Sequence, residues 1–350
     1  MLTHLPVLML VLIFIAGAGI VWAAGVWLSD TTDVISSRFH LGQALGGIIL
    51  LAIGTNLPEL ATTASAALRH NMGIAIGNLL GGIAVQTVVL VALDAVGKGK
   101  RPLTYRAASL TLVLEAALVT MVLTLSILGT RLPARLVFWR ITPQNLLIVI
   151  AWLAGIWILK VAPNLMSWTV KQQDGATKPQ GHSQSTKDKS AGSTATVLGK
   201  FAVACLATLG AGIALEESGD ALAGHIGMSG VLFGATVLAA STSIPELATG
   251  ITSIRMGDEQ LAISDIFGGN AFLPVLFLLA SLLSGESVLP HAQNTDVYLA
   301  ALGIAVTAIY IFGLILRPTK RYARLGLDSW MVLLTYLMGV GGLIFVKNGQ

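Results

Sequence analysis

Charge is the scarcest thing in this chain: only 11% of its 350 residues are Asp, Glu, Lys or Arg. Soluble domains carry about 25%, so there is too little polar surface here to clothe a water-soluble globule. Cysteine is nearly missing as well. The single Cys205 excludes an internal disulfide and a thiolate metal site, and its apolar neighbourhood points to packing. The six histidines are scattered without metal-ligand spacing. No GxxxxGK[ST] loop occurs, which argues against ATP-driven pumping by this chain, and neither an HExxH helix nor a pair of catalytic aspartates is present, which argues against an intramembrane protease. The net charge of +4 comes from residues in membrane-flanking loops, where lipid and orientation account for it and nucleic acid is not implied.

What is abundant is apolar: 55% of the residues are hydrophobic and 38 are glycine. About 20 apolar residues at 1.5 Å rise cross the hydrocarbon of a bilayer. Ten such spans can be drawn, over 5–28, 41–68, 72–96, 105–128, 142–162, 197–216, 229–254, 260–284, 295–316 and 328–347. The first lacks a basic leader segment and is read as a helix and not as a cleaved signal. The fold expected is an all-α membrane protein. Its first five-helix unit occupies 1–170 and its second 197–350; the polar stretch 171–196 between them is too poor in apolar residues to fold alone and reads as a linker.

The two units are related. Residues 41–92 align without a gap on 228–279, with roughly 16 of 52 pairs identical. GTNLPELAT from Gly54 lies over STSIPELAT from Ser241, and GNLLGG from Gly77 over SDIFGG from Ser264. Five is an odd number of crossings, so the second unit enters the membrane from the opposite side, giving an inverted repeat of the kind found in secondary transporters. Lys and Arg divide unequally between the loops. Arg38, Lys98, Lys100, Arg101, Lys171, Lys178, Lys187, Lys189, Arg255, Arg317, Lys320, Arg321 and Arg324 fall on one side, and Arg69, Arg131, Arg135, Arg140 and Lys347 on the other. The richer side is expected to be cytoplasmic, with both termini outside and the linker inside.

Glu59 and Glu246 stand inside apolar segments at equivalent points of the repeat. A charge at the bilayer centre costs about 2.5 to 3.5 kcal/mol on insertion scales, and the default role of an intramembrane carboxylate is in an ion or proton path. Pro58 and Pro245 each remove a backbone donor, so both helices are expected to break at the motif. Broken backbone beside a carboxylate supplies the oxygen ligands that hard cations take. Thr55, Asn56, Thr242 and Ser243 add side-chain oxygens, and Asn78, Asp265 and Asn270 lie near the same level. The paired glycines Gly81–Gly82 and Gly268–Gly269 suit close helix approach. Glu115, Glu216, Glu217, Asp33 and Asp220 are read as rim residues.

The paired motifs resemble the two α-repeats of the sodium/calcium exchanger family, in the cation/calcium antiporter superfamily. The resemblance implies a central ion site in which Glu59 and Glu246 are metal ligands, helped by the carbonyls of Thr55 and Thr242. It implies a secondary antiporter moving Ca2+ against Na+ or H+, with no tightly bound cofactor, working in lipid in a prokaryotic plasma membrane. An antiporter for another divalent ion such as Mg2+ or Mn2+, or a cation channel, are the alternatives. The chain also departs from the family pattern. Gly82 and Gly269 replace its serines, Ile83 replaces one asparagine, and Gln86 and Leu273 stand where it places Asn or Asp ligands. The glutamate pair is intact, while several side-chain oxygens that would help bind sodium are missing.

Overall fold

The computed structural model describes residues 2–39, 52–107, 109–133, 135–136, 138–165, 193–227 and 233–348. The linker expected at 171–196 and the first part of the second span therefore lie almost entirely outside the described residues. Ten spans account for nearly all of the regular structure. They are α1 (Val7–Arg38), α2a and α2b (Ala52–Thr55 and Leu57–Leu68), α3 (Met72–Val96), α4 (Leu110–Gly129), α5 (Pro143–Leu165), α6 (Thr194–His225), α7a and α7b (Gly234–Leu238 with Ala239–Thr242, then Ile244–Met256), α8 (Glu259–Ser284), α9 (Asn294–Leu316) and α10 (Leu327–Asn348). Seven described helices are long and apolar enough to span a membrane unbroken; α10 has a shorter apolar stretch, and the two motif helices are interrupted. The protein is thus a membrane protein of two inverted five-helix repeats, helical among the described residues but for the short hairpin Arg321–Tyr322 with Leu325–Gly326.

Several boundaries move from their expected places for identifiable reasons. Helices α1 and α6 run to 32 residues each, past the acidic residues Asp30 and Glu216, Glu217 and Asp220, which sit within helix and not beyond it. The fourth span starts at Leu110 and not at 105, because Ser109 caps it by accepting a hydrogen bond from Thr111 N at 3.2 Å. Helix α8 tightens into a 3₁₀ turn at Leu273–Val275, where Pro274 interrupts the bonding.

The contacts obey the repeat. Helix α1 lies along α6; α1 crosses α7b as α6 crosses α2b; α3 packs on α9 as α8 packs on α4; and α4–α5 matches α9–α10. Helices α3 and α8 are two-thirds buried and form the centre of the core, with Leu79, Leu80 and Ile83 against Phe267, Phe277 and Val306. The α1–α6 pair stands outside this core on smaller apolar clusters of its own, including one of Ala24, Leu28 and Ala204 against which Cys205 packs. Its contact with the motif helices is backbone-close. A Cβ on Gly25 would lie 2.8 Å from Pro245 Cα, and one on the repeat-related Gly212 would lie 2.9 Å from Pro58 O. Glycine is required at both crossings because any side chain would displace the motif proline.

The loops at the ends of the bundle are tied together by polar contacts. At one end the buried Asp94 accepts from Leu103 N (2.8 Å), Gly326 N (2.7 Å) and Ser329 Oγ (2.9 Å), Arg321 bonds Gly97 O, and Arg106 pairs with Glu259. At the other, Arg69 pairs with Glu217 and Arg140 donates to Leu282 O.

Candidate ion-binding site

Both motif helices break where the prolines require it. Asn56 and Ser243 are non-helical turn residues, and i→i−4 bonding resumes beyond them with Leu60 N to Asn56 O (3.0 Å) and Leu247 N to Ser243 O (3.2 Å). Glu59 and Glu246 are consequently the third residues of new helices. Unpaired N–H groups and the positive end of the helix dipole favour an anion in that first turn. This local field offsets part of the cost of burying the two carboxylates, both fully shielded from solvent.

The helices bring the glutamates together. Gln86 Nε2, on α3, lies 3.2 Å from Glu59 Oε1, 3.2 Å from Glu246 Oε1 and 3.2 Å from Asn56 Oδ1. One oxygen from each half is therefore within a single hydrogen-bond length of the same nitrogen. Thr242 lies beside Glu59 and Thr55 beside Glu246, so each motif hydroxyl crosses to the other half's carboxylate. The second oxygens, Glu59 Oε2 and Glu246 Oε2, are buried without a hydrogen-bond partner.

The remaining expected residues divide. Asp265 is buried beside Glu246, accepting from Thr249 Oγ1 at 2.6 Å and from Thr55 Oγ1 at 3.3 Å. Its repeat partner Asn78 makes the equivalent contact, donating from Nδ2 to Thr62 Oγ1 at 2.9 Å. Thr62 and Thr249 in turn bond the backbone carbonyls of Glu59 (3.0 Å) and Glu246 (3.1 Å). Asn270 turns to α3, donating to Thr87 Oγ1 at 3.0 Å, and Ser243 bonds Ala239 O at 2.6 Å within its own helix. Asn78 and Asn270 thus serve as braces of neighbouring helices in this arrangement, each keeping a buried carbonyl oxygen without a partner. Among the described residues no three His, Cys, Asp or Glu side chains come together at metal-ligand spacing, so a cation at the glutamate pair would complete its shell with amide, hydroxyl and backbone oxygens.

Two features were less legible from the sequence. Gln86 stands out in sequence only as a departure from the family pattern, yet it is the side chain that touches both glutamates. The sequence signal for Thr62 and Thr249 is their identity across the repeat, inside PELAT. The departure at Gly269 is also explained: a Cβ there would run into Asn56 Nδ2, so the larger residue in the first motif occupies the space that the smaller one in the second half leaves. Among the residues read as rim, Glu216 is buried and accepts from Ser65 Oγ at 2.8 Å, and Glu115 is buried and accepts from Ser264 Oγ at 3.1 Å.

The chain matches the model of the sodium/calcium exchanger protein family over residues 9–170 and 196–345. It is 24% identical over 309 residues to the inner membrane protein YrbG of Escherichia coli strain K12, covering 87% of this chain and 90% of that protein. It is 25% identical over 329 residues to the putative antiporter CaxA of Alkalimonas amylolytica, covering 93% and 95%. Among solved structures, the sodium-calcium exchanger NCX_Mj superimposes with a TM-score of 0.62 at 18% identity over 96% of this chain and 99% of its own, a likeness of fold. Both halves are matched and the polar stretch between them is left out: this chain belongs to the sodium/calcium exchanger protein family.

Proposed function

We propose that the protein exchanges Ca2+ for Na+ or H+ by alternating access, with Glu59 and Glu246 as the metal ligands. The observation that carries this reading is the meeting of two fully buried carboxylates, one from each half, at one nitrogen of Gln86. Two like charges a few ångströms apart repel by roughly 3 kcal/mol at an effective dielectric of about 20, and each also loses its hydration. Such a pair stays ionised only when positive charge neutralises it. A divalent cation, sodium ions or protons meet that need in turn, and the need for one to leave before another binds is the physical origin of exchange. Thr55, Thr242 and Asn56 offer further oxygens beside the pair, Ser243 would do so by releasing Ala239 O, and Asp265 adds charge behind Glu246. Asn78 and Asn270 hold Thr62 and Thr87 through their amide nitrogens, and each keeps a buried Oδ1 without a partner.

Ca2+ flux into proteoliposomes under imposed gradients tests the reading. Uptake driven by a sodium gradient at fixed pH identifies sodium as the counter-ion. Uptake without sodium that slows at low pH identifies protons, because a protonated glutamate rejects a divalent ion. Normal flux in a Glu59→Gln, Glu246→Gln double variant would overturn the site. We also infer from the Lys and Arg grouping that the end holding Asp94, Arg106 and Arg321 is cytoplasmic, with the 171–196 linker on that side and both termini outside. A cysteine introduced at Lys178 should resist labelling from outside intact cells; ready labelling reverses the orientation.

A further inference from the structure

Gln86 is fully buried on α3, and its repeat partner is the apolar Leu273, so only one half projects an amide between the glutamates. Its Nε2 faces three acceptors at 3.2 Å, namely Asn56 Oδ1, Glu59 Oε1 and Glu246 Oε1, while its own Oε1 is buried with no partner. A carboxamide nitrogen has two hydrogens, one fewer than the acceptors around it. The carboxylates are the stronger acceptors and take those hydrogens first. A cation bound to Glu59 Oε1 and Glu246 Oε1 needs the same lone pairs and meets the positive end of the same amide dipole. Nitrogen-inward Gln86 and a cation therefore compete for these two oxygens. A half-turn of the carboxamide interchanges nitrogen and oxygen with no change of shape, and it replaces the opposing dipole by an oxygen that a hard cation accepts.

We propose that Gln86 is a tethered competitor of the transported cation. Nitrogen inward, its N–H groups hold Glu59 and Glu246 together between transport events; oxygen inward, it faces the bound cation. Gln86 acts through the two glutamates, as a positioning residue that sets affinity against turnover, and the proposal rests on the exchange reading above. A neutral bridge eases the repulsion of the carboxylate pair without supplying the positive charge that the pair needs. It therefore weakens cation binding and speeds release. Leu273 offers no such bridge from the second half.

The test is Ca2+ exchange by Gln86→Met, which keeps the length of the side chain and removes both donors and the amide oxygen. Competition predicts that KM falls by about threefold or more and that kcat falls with it, since release is slowed. A side chain that acts only as a cation ligand gives the opposite result, a raised KM, and a raised or unchanged KM overturns the proposal. Size-exclusion profile and thermal stability establish that the variant is folded. If it is not, Gln86→Leu, the residue that stands at the equivalent position of the second half, likewise deletes the donors and adds no charge. KM must then fall with a slowed kcat, and an unchanged or raised KM again overturns the proposal. Absence of exchange by the wild-type protein overturns the transport reading and this one together. Wild-type exchange with a raised KM in Gln86→Met overturns the role of Gln86 alone.

Discussion

The two halves share a backbone and differ in the chemistry that they bring to the centre. Equivalent helices make equivalent contacts, down to the turn after each motif helix. There His70 and Gly257 take positive φ (56° and 82°), and Asn71 N to Ala66 O (2.8 Å) is repeated as Asp258 N to Ser253 O (2.9 Å). The side chains at the site are not equivalent. The first half supplies Asn56, Asn78 and Gln86 where the second supplies Ser243, Asp265 and Leu273. Backbone symmetry follows from what both halves must do, which is to break a helix at membrane depth and present a carboxylate. Side-chain asymmetry follows from their packing against each other at the centre: what one half fills, the other must leave open, as Asn56 does over Gly269.

The sharpest test of equivalence is at the glutamates. Glu59→Gln and Glu246→Gln should each reduce Ca2+ exchange by about 100-fold or more, because a divalent ion needs both carboxylates in a desolvated site. Flux assays on folded, reconstituted variants decide it, and a variant that kept most of its flux would show that the halves differ in function and not only in detail. Next comes the close crossing of α1 and α6 with the motif helices. Gly25→Val and Gly212→Val should each destabilise by about 1–3 kcal/mol through overpacking. Thermal unfolding in detergent should report similar losses at both sites, and a loss at one alone would break the symmetry of the crossing.

The compensation between Asn56 and Gly269 is expected to appear as coupling. Gly269→Ser should be destabilising alone and tolerated with Asn56→Ser, with an interaction energy of about 0.5–3 kcal/mol in a double-mutant cycle. Additive effects would mean that the two positions do not share space. The smallest effect concerns the turns. A histidine at φ 56° is strained where glycine is not, so His70→Gly should stabilise by about 1 kcal/mol and Gly257→Ala should destabilise by a similar amount. A matched pair of melting curves checks both signs.

The sequence alone determined the membrane class, the ten spans and the repeat, and it singled out the two glutamates that the structure brings together. Each of these rests on a pattern local in the chain: apolar runs of spanning length, a gapless self-alignment, and a Pro-Glu pair that costs energy in lipid unless it is used. Helix ends were less legible where acidic residues lie within a long helix. Glu216 looked like a rim residue because its partner, Ser65, is far away in sequence. Tertiary structure alone decided which polar side chains reach the glutamates. Asn78 and Asn270 carry the same donors and acceptors as Gln86, yet packing turns them to Thr62 and Thr87 and leaves Gln86 between the carboxylates. The physical reason is that a helix fixes the direction in which each side chain points. Which neighbour stands there is set by how α3 and α8 pack against the broken helices of both halves, a relation that no single stretch of the chain contains.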